Sequence, residues 1–263
     1  MCAVFINTNM NKFYNIRDDL KSWNINQINL ELEKAITAAG INFKHWKRTV
    51  ELKDVKGQWT HKSLHHNSSA VNPARITNGD VNITTNTSMF TELDQQLFGG
   101  TGRRGRVVDG VGVEEPAMTD DQLAELNPIF KGTVLEELHE FAKEKFQAPV
   151  RIRCQNRTVS GTSQGLYWHK DDPVENRFHI PLWTNPGHLL LFTEQNFKWK
   201  AGFDPIEAMQ PLDVVGHYIP ADGQVYEIYT KDFMHAVASV GVGWYQPREE
   251  QTRCHLSFWV GKN

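Results

Sequence analysis

Three cysteines in 263 residues are too few for a disulfide-held fold, and their odd number and wide spacing (Cys2, Cys154, Cys254) leave no framework to pair. Long apolar runs are also missing; nothing approaches the roughly 20 residues that a membrane-spanning helix needs. Nor does one sign of charge dominate. The 28 Lys plus Arg and 31 Asp plus Glu give a formal net charge of −3. That leaves no electrostatic case for nucleic acid or an anionic membrane as the main partner. The opening Met1-Cys2-Ala3-Val4-Phe5-Ile6-Asn7 lacks the basic n-region and the long apolar stretch of a secretion signal. The expected setting is a reducing cytoplasm. Internal repeats and low-complexity tracts are absent as well.

What is present suits a globular chain: 40% hydrophobic residues, with 19 Gly and 11 Pro to make turns. The expectation is one domain over 1–263. Residues 1–147 form a helical and loop elaboration, and 148–263 form a β core. Ile25, Ile28, Leu32, Ile36 and Ala39 recur at helical spacing before Gly40, which predicts an amphipathic helix over 25–39 packed on the outside of a sheet. Residues 41–60 suit a strand or two. From His61 to Ser88 the chain turns polar. His61, His65 and His66 have metal-like spacing only if helical, and Ser68-Ser69 and Asn72-Pro73 argue for a loop instead. Gly100-Thr101-Gly102-Arg103-Arg104-Gly105 matches a dinucleotide fingerprint as a string, but no strand–turn–helix surrounds it, so it reads as a glycine-arginine loop. Two capping boxes follow, at Thr119–Gln122 and Thr133–Glu136. The second opens a helix carrying Leu135, Leu138, Phe141, Ala142 and Phe146, ended by Pro149.

The rest reads as strands: 150–157, 166–171, 177–182, 189–193, 213–219, 224–229, 236–240 and 253–260. Eight short strands without regular helices between them predict a sandwich or jelly roll, a mainly β fold with flanking helices. Side chains two apart on a strand share a face. Tyr167, His169 and Asp171 therefore point one way, and Arg177 and His179 point together one strand later. An imidazole and a carboxylate two apart supply two metal ligands. A distant histidine, with His235 the candidate, completes a 2-His-1-carboxylate triad that leaves positions open for substrates. On the last strand Arg253 shares a face with His255 and Ser257. Arg151 and Arg153 alternate onto one face of the strand before the HxD segment, and Arg157 extends it. Trp168, Trp183, Trp199 and Trp259 read first as core.

The ordered set His169-x-Asp171, Arg177-x-His179-Ile180-Pro181-Leu182, His235-Ala236-Val237 and Arg253-x-His255-Leu256-Ser257-Phe258 resembles the aspartyl/asparaginyl β-hydroxylase family, with its proline-hydroxylase-like members. The resemblance covers 148–263. It implies a double-stranded β-helix (a cupin-like jelly roll) and an Fe(II)- and 2-oxoglutarate-dependent dioxygenase. Such an enzyme hydroxylates an unactivated C–H of an amino acid or peptidyl residue, consumes O₂ and releases succinate and CO₂. It implies His169, Asp171 and His235 as the catalytic iron ligands and Arg253 as partner of the 2-oxoglutarate C5 carboxylate. Arg177 and His179 then line the cosubstrate pocket, joined by His255 and Ser257. Arg248, in the segment 241–250 that reads as an inserted hairpin loop, rivals Arg253. Tyr167, Arg151 and Arg153 are the candidate substrate contacts. Two other readings stay open: a cupin-type metalloenzyme independent of 2-oxoglutarate, and a non-catalytic jelly-roll binding protein.

Overall fold

The computed structural model describes residues 12–38, 43, 81–84, 104–108, 111–115, 124–158, 166–171, 176–196, 213–239 and 252–261. Eight strands within it make up the core. They are β5 (Val150–Thr158), β6 (Leu166–His169), β7 (Asn176–Trp183), β8 (His188–Thr193), β9 (Val215–Tyr218), β10 (Tyr226–Ile228), β11 (Met234–Ser239) and β12 (Thr252–Val260). One sheet runs β10-β7-β12-β5 and the other runs β6-β11-β8-β9. All their pairings are antiparallel. Counting the eight strands in chain order, the two sheets read 6-3-8-1 and 2-7-4-5. Successive strands thus alternate between sheets except at the β8–β9 hairpin, in two interleaved Greek keys, which is the order of a double-stranded β-helix.

The N-terminal part is built into this frame. Strand β1 (Tyr14–Ile16) adds to the free edge of β10, and β2 (Val81–Asn82) adds to β5, giving a six-stranded sheet. Helix α1 (Ile25–Ala38) buries Ile28, Leu32, Ala35 and Ile36, the spacing read from sequence. Helix α2 (Val134–Phe146) buries Leu135, Leu138, His139 and Ala142. Both pack on the outer face of the larger sheet, in one cluster with Ile152, Phe178, Ile180, Leu256 and Phe258. The α2 N-cap is Thr133, whose hydroxyl accepts from Leu135 N at 3.2 Å. Glu136 reaches past the cap to accept from Gly132 N at 2.6 Å. The helix ends at Phe146, three residues before the expected proline brake, with Gln147 as its C-cap in the left-handed region (φ 51°).

Strand alternation sorts the two faces. On β7 Phe178 and Ile180 face the helices while Arg177 and His179 face the space between the sheets. On β12 Leu256 and Phe258 face the helices, and Arg253, His255, Ser257 and Trp259 face inward. Pro181 has no N–H to donate, and it lies opposite His255 where the β7–β12 register slips. Between the sheets Phe13, Leu190, Phe192, Tyr226, Ile228 and Val237 form a second apolar cluster. Gly223 (φ +83°) makes the turn before β10. A Cβ there would lie 2.3 Å from the Trp23 carbonyl oxygen, and its own carbonyl accepts from Trp23 N at 2.9 Å.

One expectation is corrected. The stretch read as a glycine-arginine loop continues into an antiparallel hairpin of β3 (Arg104–Val108) and β4 (Val111–Glu115). Of the helix expected after the first capping box, the described residues hold only helical Ala124, followed by a 3-10 turn, Pro128–Phe130, capped by Asn127. The box itself, His61, His65, His66 and Arg248 lie outside the described residues. No helix among the described residues is long and apolar enough to cross a membrane.

Candidate metal centre

The HxD segment and His235 meet because β6 and β11 are neighbours. His169 and His235 are direct cross-strand partners, and their ring centroids lie 4.2 Å apart. Asp171 follows just past the end of β6, where its backbone N–H donates to the Thr230 carbonyl at 3.1 Å. That bond ties it to the turn preceding β11. One ligand atom from each of His169, Asp171 and His235 then lies within 4.8 Å of the others. His169 Nε2 is 3.6 Å from Asp171 Oδ1, and His235 Nε2 is 3.8 Å from Oδ2. The His169 side chain is 38% exposed and that of His235 only 4%, so the cluster opens to solvent on the His169 side.

Protonation states suit a cation. Burial works against ionisation of Asp171, but Arg177, then His235 and His169, hold its carboxyl below the usual carboxylate range. Burial and the neighbouring His169 push His235 down, with Asp171 opposing, so its imidazole is neutral. Two imidazole nitrogens and one carboxylate, all turned toward one point, are a donor set that fits a divalent first-row metal.

A cavity runs between the sheets from His179. It is lined by Trp183 of β7, Leu190 of β8, His217 of β9 and both Arg253 and His255 of β12. His179 is half-buried and held at about 3 by burial first, then by Arg253 and Arg177. It stacks on His255, centroids 4.4 Å apart at 17°. His255 is oriented from behind. Gln155, its direct partner on β5, places Oε1 3.1 Å from His255 Nε2 and accepts from Ser257 Oγ at 2.9 Å. A carbonyl oxygen only accepts, so in this arrangement His255 carries its proton on Nε2.

The expected site residues therefore fall into groups. His169, Asp171 and His235 are together. Arg253, His179 and His255 share the cavity. Ser257 is wholly buried, with its hydroxyl committed to Gln155, and is not part of the cavity lining. Arg177 is not part of that lining either. It lies toward the other end of β7, with Nε 3.2 Å from Asp171 Oδ2. Arg151 and Arg153 do share a face, and both guanidinium groups lie over the Trp259 ring. Tyr167 sits on β6, with its side chain outside the described residues. Gln155 was missed; the available signal was its place in the alternation Arg151, Arg153, Gln155.

No protein-family model and no curated protein sequence matches the chain. Several solved structures are similar to the chain at low identity and low TM-score. HygX from Streptomyces hygroscopicus is 12% identical, with TM-score 0.32 over 44% of this chain and 60% of HygX. The non-heme alpha-ketoglutarate-dependent epimerase SnoN of nogalamycin biosynthesis is 9% identical, with TM-score 0.30 over 47% of this chain and 51% of SnoN. A Pseudomonas putida prolyl-4-hydroxylase is 13% identical, with TM-score 0.28 over 49% of this chain and 62% of its own. The chain thus matches less than two thirds of the length of each. The protein is a double-stranded β-helix. That assignment rests on its own strand order, which the likenesses accompany without adding an activity.

Proposed function

We propose that this protein is an Fe(II)- and 2-oxoglutarate-dependent oxygenase of the aspartyl/asparaginyl β-hydroxylase type, acting on an unactivated C–H of an amino acid or peptidyl residue. The observation that carries the reading is the convergence of His169, Asp171 and His235, together with a cavity lined by Arg253 and by His179, which is near enough to Asp171 and His235 to feel their charges. Two neutral imidazoles and one carboxylate offset one of the two charges of Fe(II) and leave three positions open. Iron bound there supplies the redox chemistry that couples decarboxylation of 2-oxoglutarate to substrate oxidation.

The chain's own residues divide the remaining work. His169 and His235 present Nε2 lone pairs, and Asp171 supplies the charge. Arg253 pairs with the C5 carboxylate of 2-oxoglutarate, for which its planar fork is suited. His179 stays neutral at any physiological pH, so it orients the cosubstrate without adding charge. Pro181, Leu190 and Ile219 supply apolar parts of the cavity wall. The amino-acid-like substrate enters on the exposed His169 side.

Anaerobic titration tests the reading. Fe(II) and 2-oxoglutarate added together should give a visible charge-transfer absorption that His169→Ala abolishes and Arg253→Ala weakens. Metal binding with no change on adding 2-oxoglutarate would favour the reading as a cupin-type metalloenzyme independent of 2-oxoglutarate. No metal binding at all would favour a non-catalytic jelly roll.

A further inference from the structure

Arg177 was expected in the cosubstrate pocket, yet it does not line the cavity and faces Asp171 instead, so its role needs its own account. The Asp171 carboxylate is divided between neighbours. Oδ1 faces His169 at 3.6 Å, whereas Oδ2 faces the Arg177 Nε at 3.2 Å and His235 at 3.8 Å. The guanidinium of Arg177 lies over the indole of Trp259, with Cζ 4.6 Å from the ring centroid. Trp259 is buried at 7% exposure and is the direct cross-strand partner of Arg177 on one side and Arg151 on the other. The Cζ atoms of Arg151 and Arg153 lie 5.3 and 5.9 Å from the same ring. Three cations around one buried indole are attracted to its electron-rich surface while repelling one another. Arg177 among them faces the Asp171 carboxylate, and the indole fixes where its charge stands.

We propose that Arg177 is a positioning residue for Asp171, held by the Trp259 indole, so that Asp171 offers one oxygen to the metal and keeps the other on the guanidinium. This rests on the metal reading of His169, Asp171 and His235. Its consequence is the number of open positions. A carboxylate gripped through one oxygen binds the metal monodentately, whereas a released carboxylate can chelate and close a position that a bidentate 2-oxo acid and O₂ require. Arg177 also stands close enough to repel a divalent cation. The two roles predict opposite changes when it is removed. A positioning group loses metal affinity on removal, and a merely repelling charge gains it.

The experiment measures Mn(II) binding by the EPR signal of free Mn(II), and the Co(II) visible spectrum, in wild type, Arg177→Gln, Arg177→Lys and Trp259→Leu. Circular dichroism gives the folded fraction of each. Positioning predicts that Arg177→Gln weakens Mn(II) binding about tenfold to a hundredfold. The Co(II) bands should also change intensity as the coordination number rises. Arg177→Lys should not restore affinity, since an ammonium lacks the planar face that lies on the indole. Trp259→Leu, with Arg177 intact, should weaken binding in the same direction, and it carries the test alone if Arg177→Gln does not fold. Unchanged or tighter Mn(II) binding in Arg177→Gln or in Trp259→Leu, with an unaltered Co(II) spectrum, overturns the inference while leaving the metal site standing. No Mn(II) or Co(II) binding by wild type overturns both.

Discussion

Replacing Gln155 with leucine is the sharpest probe of how the inner face of the larger sheet is held. Leucine is similar in volume, so packing changes little, but Gln155 Oε1 serves two donors, His255 Nε2 at 3.1 Å and Ser257 Oγ at 2.9 Å. His255 is 6% exposed and Ser257 is wholly buried, so water cannot replace the lost acceptor. A buried donor left without a partner costs about 1–3 kcal/mol. Because one oxygen served both donors, the combined loss should be about 3 kcal/mol rather than twice a single bond. Ser257→Ala alone removes one donor and should cost about 1 kcal/mol. In the double variant only His255 remains orphaned, so Gln155→Leu/Ser257→Ala should be more stable than Gln155→Leu. Urea unfolding at constant m-value measures each difference. Additive losses, or a Gln155→Leu variant within about 0.5 kcal/mol of wild type, would refute the shared-acceptor account.

Further outcomes follow from the same geometry. Acid should destabilise the protein well before its carboxylates are protonated. His179 is held at about 3 in the fold against an ordinary 6.5, by burial first and then by the positive charges of Arg253 and Arg177. The unfolded chain therefore binds more protons across that window. The stability is fully present above about 6.5 and is lost as the pH falls toward 3, and His179→Phe should flatten that slope in pH-dependent urea unfolding. Gly223→Ala should cost about 2 kcal/mol or more, because it combines a φ of +83° with a Cβ 2.3 Å from the Trp23 carbonyl oxygen. A thermal-melt loss smaller than that of an exposed-turn substitution would contradict it. Phe258→Ala should cost about 3–5 kcal/mol, since Phe258 is buried and stacks on Phe178 with centroids 5.2 Å apart. Denaturant midpoints decide that case.

The β core was legible because its strands alternate cleanly. Each of the eight expected strands is present, displaced by no more than two or three residues at its ends. The triad was legible for the same reason, since His169 and Asp171 lie two apart and the double-stranded β-helix brings the second and seventh strands together. What depends on register between distant strands was not legible. Gln155 owes its role to lying opposite His255, and Arg177 owes its place at Asp171 to lying opposite Trp259. Neither pairing leaves a local trace. Strands β1 and β2 are too short for an alternation to register, and the β3–β4 hairpin is rich in glycine, which hides the strand pattern.

Succinate formation from 2-oxoglutarate tests the central claim most directly. Wild-type protein with Fe(II), O₂ and ascorbate, offered a panel of free amino acids and short peptides, should release succinate and CO₂ in equal amounts. The His169→Ala/Asp171→Ala variant should release none. Stoichiometric Fe(II) binding at His169, Asp171 and His235 with no 2-oxoglutarate bound or consumed under any of these conditions would contradict the account.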